Sequence, residues 1–209
     1  MNRYVTEFVG TFFLVLTIGL TAVGGLSIAP LAIGSALMIM VYMGGHVSGA
    51  HYNPAVSVAV LIRGKMESGD FLPYIVSQLL GALAASGAVY GIMGETFAPA
   101  PAATASSVAA LAVELLYTFA LALVVLNVAT SKATEGNSYY GLAIGFTLMV
   151  AAFAGGPISG GAFNPAVGIG PTVVKALAGG GSFTDVWIYI VGPVAGAALA
   201  AMVFKLQED

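Results

Sequence analysis

The feature that most constrains this chain is a nonapeptide written twice. "SGAHYNPAV" runs from Ser48 to Val56 and "SGGAFNPAV" from Ser159 to Val167, identical at six of nine positions. Each copy leads into a short apolar stretch, at about 53–63 and 164–175. Those stretches are too short to cross roughly 30 Å of hydrocarbon, which takes about 20 residues. Asn is a good helix N-cap and Pro suits the first helical position. Each nonapeptide therefore predicts a short helix opened by Asn53–Pro54–Ala55 or by Asn164–Pro165–Ala166.

Composition decides where such helices can sit. The chain is 59% apolar and 7% charged, with a mean hydropathy of +0.98. A soluble domain carries about 25% charged residues, so the surface of this one is expected to face lipid. Six longer apolar spans are predicted at roughly 4–25, 30–46, 71–93, 107–129, 139–155 and 185–205. The links "GGLSIAP", "GETFAPAPAATASS", "TSKATEGNS" and "GGGSFTD" separate them. Glu7 interrupts the first apolar stretch, and that stretch has a later counterpart, so it reads as a span rather than a cleaved leader. The two short stretches then read as re-entrant half-helices.

The repeat extends beyond the nonapeptides. "TEFVGTFFLVL" echoes "VELLYTFALALVVL", placing Glu7 and Glu114 at matching positions 107 residues apart; Asn53 and Asn164 are 111 apart. The pattern span, span, half-helix, span occurs twice, in residues 1–95 and 107–209, within one transmembrane domain. Three spans per half invert the second copy relative to the first, an architecture that moves solutes through the interface between repeats. With the N-terminus inside, Arg3, Arg63, Lys65, Lys132 and Lys205 are cytoplasmic and only Lys175 is outside. This follows the positive-inside rule and puts both termini in the cytoplasm.

Two half-helix N-termini meeting near the midplane each bring about half a positive charge. That point repels cations, and the amides of Asn53 and Asn164 can donate to the oxygen of a passing molecule. "GGHVSGAHY" and "GGPISGGAF" read as irregular backbone, tolerated at membrane depth only against protein or a wet cavity. A lone Asn-Pro is a turn signal; two in register within an inverted repeat point to a shared site. The chain has no cysteine, and two histidines are too few for a typical zinc site. Neither a metal nor another cofactor is expected, and no nucleophile–base pair or basic run points to an enzyme or to nucleic acid.

The paired "NPA" motifs, "SGAH" and "SGG", the span-one "EF" and span-four "E", "QLLGA" and "VGP" resemble the aquaporin, or major intrinsic protein, family over essentially the whole chain. The resemblance implies an all-α membrane protein of six transmembrane helices and two half-helices, a homotetramer, and one pore per subunit for water and small neutral solutes. It implies that Glu7 and Glu114 brace the re-entrant loops and that His51 lines the cytoplasmic vestibule. His46, at the end of span two, is expected to pack rather than gate. Gly141/Gly145 and Gly192/Gly196/Ala200 recur at spacing four and are expected to let helices approach closely.

One departure from the family stands out. Most members carry Arg directly after the second NPA, at an outer constriction; here that residue is Val167, with Ile33, Ala152 and Gly161 as its partners by spacing. Water-selective members often have an aromatic and a His at the first two partner positions, and this chain has neither. Glycerol channels of the family usually place Asp after the Arg, where this chain has Gly168; Tyr189 resembles the water-channel side. The expected constriction is uncharged, mostly apolar and wider, with a broader solute range than a strict water channel. Two other classes fit an inverted repeat: a coupled secondary transporter, and a closed structural or adhesive membrane protein. A plasma or inner membrane is the expected location.

Overall fold

The computed structural model describes residues 1–208. Its helices are α1 (Asn2–Val23), α2 (Ala29–Ser48), α3 (Pro54–Ile62), α4 (Ser68–Met93), α5 (Ser107–Thr130), α6 (Tyr140–Ser159), α7 (Pro165–Leu177) and α8 (Ile188–Glu208), with one 3-10 turn at Lys132–Thr134. Among the described residues there is no strand. Six helices are long and apolar enough to span a membrane: α1, α2, α4, α5, α6 and α8. The protein is an integral, multi-pass membrane protein.

The two halves pack alike. α1 lies on α4 and α5 on α8, while α2 and α6 meet across the repeat. Each half-helix crosses over: α3 packs chiefly on α8, and α7 on α4. At 1.5 Å per residue, α3 and α7 are roughly 14 and 20 Å long, so end to end they make about one membrane crossing.

Glycine sets the closest approach. A Cβ on Gly145 would lie 2.5 Å from the Gly34 carbonyl oxygen, and one on Gly34 would lie 2.6 Å from that of Gly145. The crossing of α2 and α6 therefore depends on this pair. On α8, Gly192 faces Glu114 and Leu111 of α5, and Gly196 faces Leu115 and Phe119. These packing roles match the small-residue rows in the sequence.

Two sequence expectations change. The irregular backbone is shorter than "GGHVSGAHY" and "GGPISGGAF": Gly44–Ser48 and Gly155–Ser159 remain helical, even through Pro157. The stop comes at Gly49 (φ 84°) and Gly160 (φ 89°), left-handed C-caps whose N–H groups bond Gly45 O and Gly156 O. The half-helices are also unequal. α3 ends at Ile62 before Gly64 turns the chain, whereas α7 continues through Pro171 to Leu177.

Candidate functional site

Only five residues separate α2 from α3 and α6 from α7, and both stretches take the same course. Gly49, Ala50 and Tyr52 have positive φ, as do their repeat mates Gly160, Gly161 and Phe163. Left-handed backbone at a non-glycine residue costs about 1–3 kcal/mol, so Ala50, Tyr52 and Phe163 persist there only if the surroundings hold them. Two buried carboxylates do so. Glu7 accepts from Ser48 Oγ (2.7 Å), His51 N (3.0 Å) and Tyr52 N (2.7 Å). Glu114 accepts from Ser159 Oγ (2.7 Å), Ala162 N (3.0 Å) and Phe163 N (2.6 Å). Both are fully buried, so Glu7 does not snorkel toward the interface despite its place near the chain start.

Five residues that hold these loops were not assigned from sequence. Tyr74 on α4 donates to Ser48 O (2.7 Å), and Tyr189 on α8 donates to Ser159 O (2.6 Å). The serines of "SGAH" and "SGG" bond the carboxylates and also accept from Ala50 N and Gly161 N. Gln78, in "QLLGA", donates to Glu7 Oε2 (2.8 Å) and to Ser57 Oγ (3.1 Å). The repeat itself was the available signal: Tyr74 and Tyr189 occupy equivalent places on α4 and α8, four residues before Gln78 and Pro193.

The two Asn side chains serve two purposes at once. Each Oδ1 accepts from the N–H two residues on, Ala55 N or Ala166 N, at 2.9 Å, and caps its half-helix. Each Nδ2 then crosses the repeat axis: Asn53 donates to Phe163 O and Asn164 to Tyr52 O, both at 2.9 Å. One N–H of each amide is thus committed to joining the halves, and one is left for the lumen. The loop carbonyls are divided similarly. Those of Tyr52 and Phe163 accept from Asn and those of Ser48 and Ser159 from Tyr. The carbonyls of Ala50, His51, Gly161 and Ala162 receive no protein donor among the described residues.

These groups border one narrow passage. Asn53, Asn164, Ala50, His51, Gly161 and Ala162 line it together with the aliphatic Leu14, Ile18, Leu37, Leu121, Val125, Ile144 and Leu148. Its volume is about 30 Å³, where one water needs about 10–15 Å³. It has room for water. Ile33, Ala152, Gly161 and Val167 all border it, so the four positions matched by spacing line the same passage. Val167 is buried in the first turn of α7. Gly168, beside it, has no room for a side chain because Tyr189 lies against its α-carbon. Pro54, Ala55, Pro165 and Ala166 are buried behind the two asparagines in the first turns of α3 and α7.

At the end where α1 begins, the passage opens into a vestibule of about 970 Å³. Arg3, Lys65, Glu67, Asp70, Lys132 and Glu135 line it, with exposed His46 on its wall. His51 borders both spaces. The rim of this vestibule is tied together: Arg3 pairs with Asp70 (2.8 Å), which also accepts from Tyr4 (2.7 Å). Arg63 pairs with Glu208 (2.5 Å) and lies over the Phe204 ring. Among the described residues no group of His, Asp or Glu is arranged to hold a metal ion.

The comparisons agree with this geometry. The family model "Major intrinsic protein" matches residues 1–204. Aquaporin NIP1-1 of Zea mays is 37% identical over 99% of this chain and 74% of its own length. Glycerol uptake facilitator protein-like 6 of Lactiplantibacillus plantarum is 37% identical over 99% of this chain and 98% of its own. Among solved structures, the aquaglyceroporin from Plasmodium falciparum superposes with a TM-score of 0.85 at 25% identity, covering 98% of this chain and 95% of that one. A narrow passage between two inverted, asparagine-capped half-helices, together with these matches, places the chain in the major intrinsic protein family, the aquaporins, as a transmembrane channel for water and small neutral solutes.

Proposed function

We propose that this channel conducts water and also neutral solutes up to about the size of glycerol, with Ile33, Ala152, Gly161 and Val167 as its outer constriction. The observation that carries the reading is the chemistry of those four positions: all border one passage, and none carries a charge or a side-chain hydrogen-bond donor. The family's constriction Arg would add a permanent charge and five N–H donors; Val167 adds neither. The wall is aliphatic, so a solute larger than water passes by displacing Ile33, Leu37 or Leu148 rather than by outcompeting a fixed charge. Cation exclusion then rests on the centre, where two helix N-termini and the remaining N–H of Asn53 and Asn164 face the file.

Coupled transport fits less well. It finds no free carboxylate beside the solute path: Glu7 and Glu114 are both occupied by loop N–H groups and serine hydroxyls. A closed structural or adhesive protein would have no use for a passage that runs past two capped half-helix ends. Termini in the cytoplasm and a homotetrameric assembly complete the proposal. The five cations of the inner end support the orientation.

Stopped-flow light scattering on proteoliposomes tests the reading with water, glycerol and urea. Osmotic shrinkage well above that of empty liposomes is expected, followed by reswelling in glycerol. No response to either osmolyte would point to the closed protein, and uptake that requires a proton gradient would point to the transporter.

A further inference from the structure

The lumen is walled almost wholly by aliphatic side chains. Among its described lining residues, only His51, Tyr52, Asn53 and Asn164 carry a polar side-chain atom. The Tyr52 hydroxyl turns away and donates to Met40 O (2.9 Å). The two asparagines stand at the centre. His51 is therefore the one further polar side chain on the path, and it stands at the inner end, where the passage meets the vestibule. The outer end has no counterpart. Counting from the paired asparagines carries His51 to Ala162 and Ser57 to Gly168, and counting from the paired Tyr74 and Tyr189 carries Gln78 to Pro193. A cluster of three polar residues has been built into one half alone.

What His51 shows the lumen depends on which ring nitrogen holds the proton. Nδ1 lies 3.0 Å from Ser57 Oγ. A serine hydroxyl has one proton and two lone pairs. Gln78 Nε2 donates to one of those lone pairs, and it cannot turn over, because its nitrogen also donates to the Glu7 carboxylate and a reversed amide would face oxygen with oxygen. The Ser57 proton then has two acceptors in reach. One is Asn53 O at 3.2 Å, which already accepts the Ser57 N–H of the helix at 3.0 Å. The other is His51 Nδ1, which is closer and has no other partner.

We infer that Ser57 donates to His51 Nδ1, so that the neutral ring presents Nε2–H to the lumen and selects there for solutes carrying a hydroxyl or carbonyl oxygen. A solute leaving the vestibule for an aliphatic file loses hydrogen bonds to water, and an N–H at the entrance returns one. Gln78 acts through Ser57 as a positioning residue, since its N–H takes one of the two Ser57 lone pairs and leaves a single one onto which Nδ1–H could donate. The inference rests on the uncharged outer constriction: without an Arg there, selection by a donor falls to the inner end.

Solid-state NMR on the full chain, labelled with ¹⁵N-histidine and held in lipid bilayers, reads the tautomer directly. His46→Asn identifies the His51 signals. The expected spectrum has His51 protonated on Nε2 and bare on Nδ1, with Ser57→Ala and Gln78→Leu each moving population to the other tautomer. A parent protein protonated on Nδ1 alone overturns the assignment. In liposomes, the glycerol-to-water permeability ratio is expected to fall about two- to tenfold in His51→Leu, the worth of one ordinary hydrogen bond. It should recover in His51→Gln, which returns an N–H. An unchanged ratio in the inserted Leu variant overturns the selective role. Parent liposomes without water flow would instead defeat the channel reading, whatever the tautomer.

Discussion

At the scale of single residues, the loops show how expensive backbone is made to persist inside a membrane. Tyr52 and Phe163 sit at φ 50° and donate their N–H groups to Glu7 and Glu114. Their carbonyls receive an Asn amide from the opposite half. Replacing one carboxylate strands two loop N–H groups and a serine hydroxyl at once. Val167 sits close to this frame but outside its hydrogen bonding, so it can change without dismantling it. Val167→Arg is expected to lower the glycerol-to-water permeability ratio in matched liposomes severalfold while water flow continues. The new guanidinium has no side-chain acceptor among Ile33, Ala152 and Gly161; the unpartnered carbonyls of Gly161 and Ala162 are the groups it can reach. A ratio equal to or above the parent's, in a correctly inserted variant, would falsify the idea that this position sets the size limit.

At the scale of elements, the width of the passage follows from how closely α2 and α6 cross. These helices carry Ile33, Leu37, Ile144, Leu148 and Ala152, much of the aliphatic wall. Their contact is backbone on backbone at Gly34 and Gly145. A methyl group added at Gly145 meets the Gly34 carbonyl and Met38, so the helices must separate or twist. Overpacking of this kind costs about 1–3 kcal/mol. Gly145→Ala should therefore lower the melting temperature of the purified protein in detergent, whereas Ala at Gly87, which has open space around it on α4, should leave it unchanged. Equal melting temperatures for the two variants would mean that the crossing has slack the geometry does not reveal.

At the scale of the whole molecule, the outer surface is dominated by exposed large apolar side chains, among them Phe13, Ile39, Leu80, Leu116 and Phe146. Lipid covers such a surface, and in the proposed homotetramer sister subunits would cover part of it. The proposed homotetramer predicts a four-chain mass by native mass spectrometry from mild detergent, and a single-chain mass would contradict it. Each chain already encloses its own passage, so disrupting the tetramer is expected to spare permeability per subunit as long as the subunit stays folded.

Much of this protein could be read from the order of its residues. The low charge and the apolar spans dictate a membrane fold, because too few polar groups exist to coat a soluble surface. The repeated Asn-Pro-Ala dictates two capped half-helices, because capping and proline preference act locally. The repeat spacing marks Glu7 and Glu114 as equivalent and brings Ile33, Ala152, Gly161 and Val167 into one comparison. Other features depend on contacts distant in the chain, which local pattern does not encode. Tertiary packing decided that α2 and α6 continue through Ser48 and Ser159. It also decided that each Asn amide reaches across to the other half, and that Tyr74 and Tyr189 take up the last helical carbonyls. The cluster of His51, Ser57 and Gln78 belongs with these. Its members lie on a loop, a half-helix and α4, and only the folding of α3 back against α4 brings a ring nitrogen, a hydroxyl and an amide to one point.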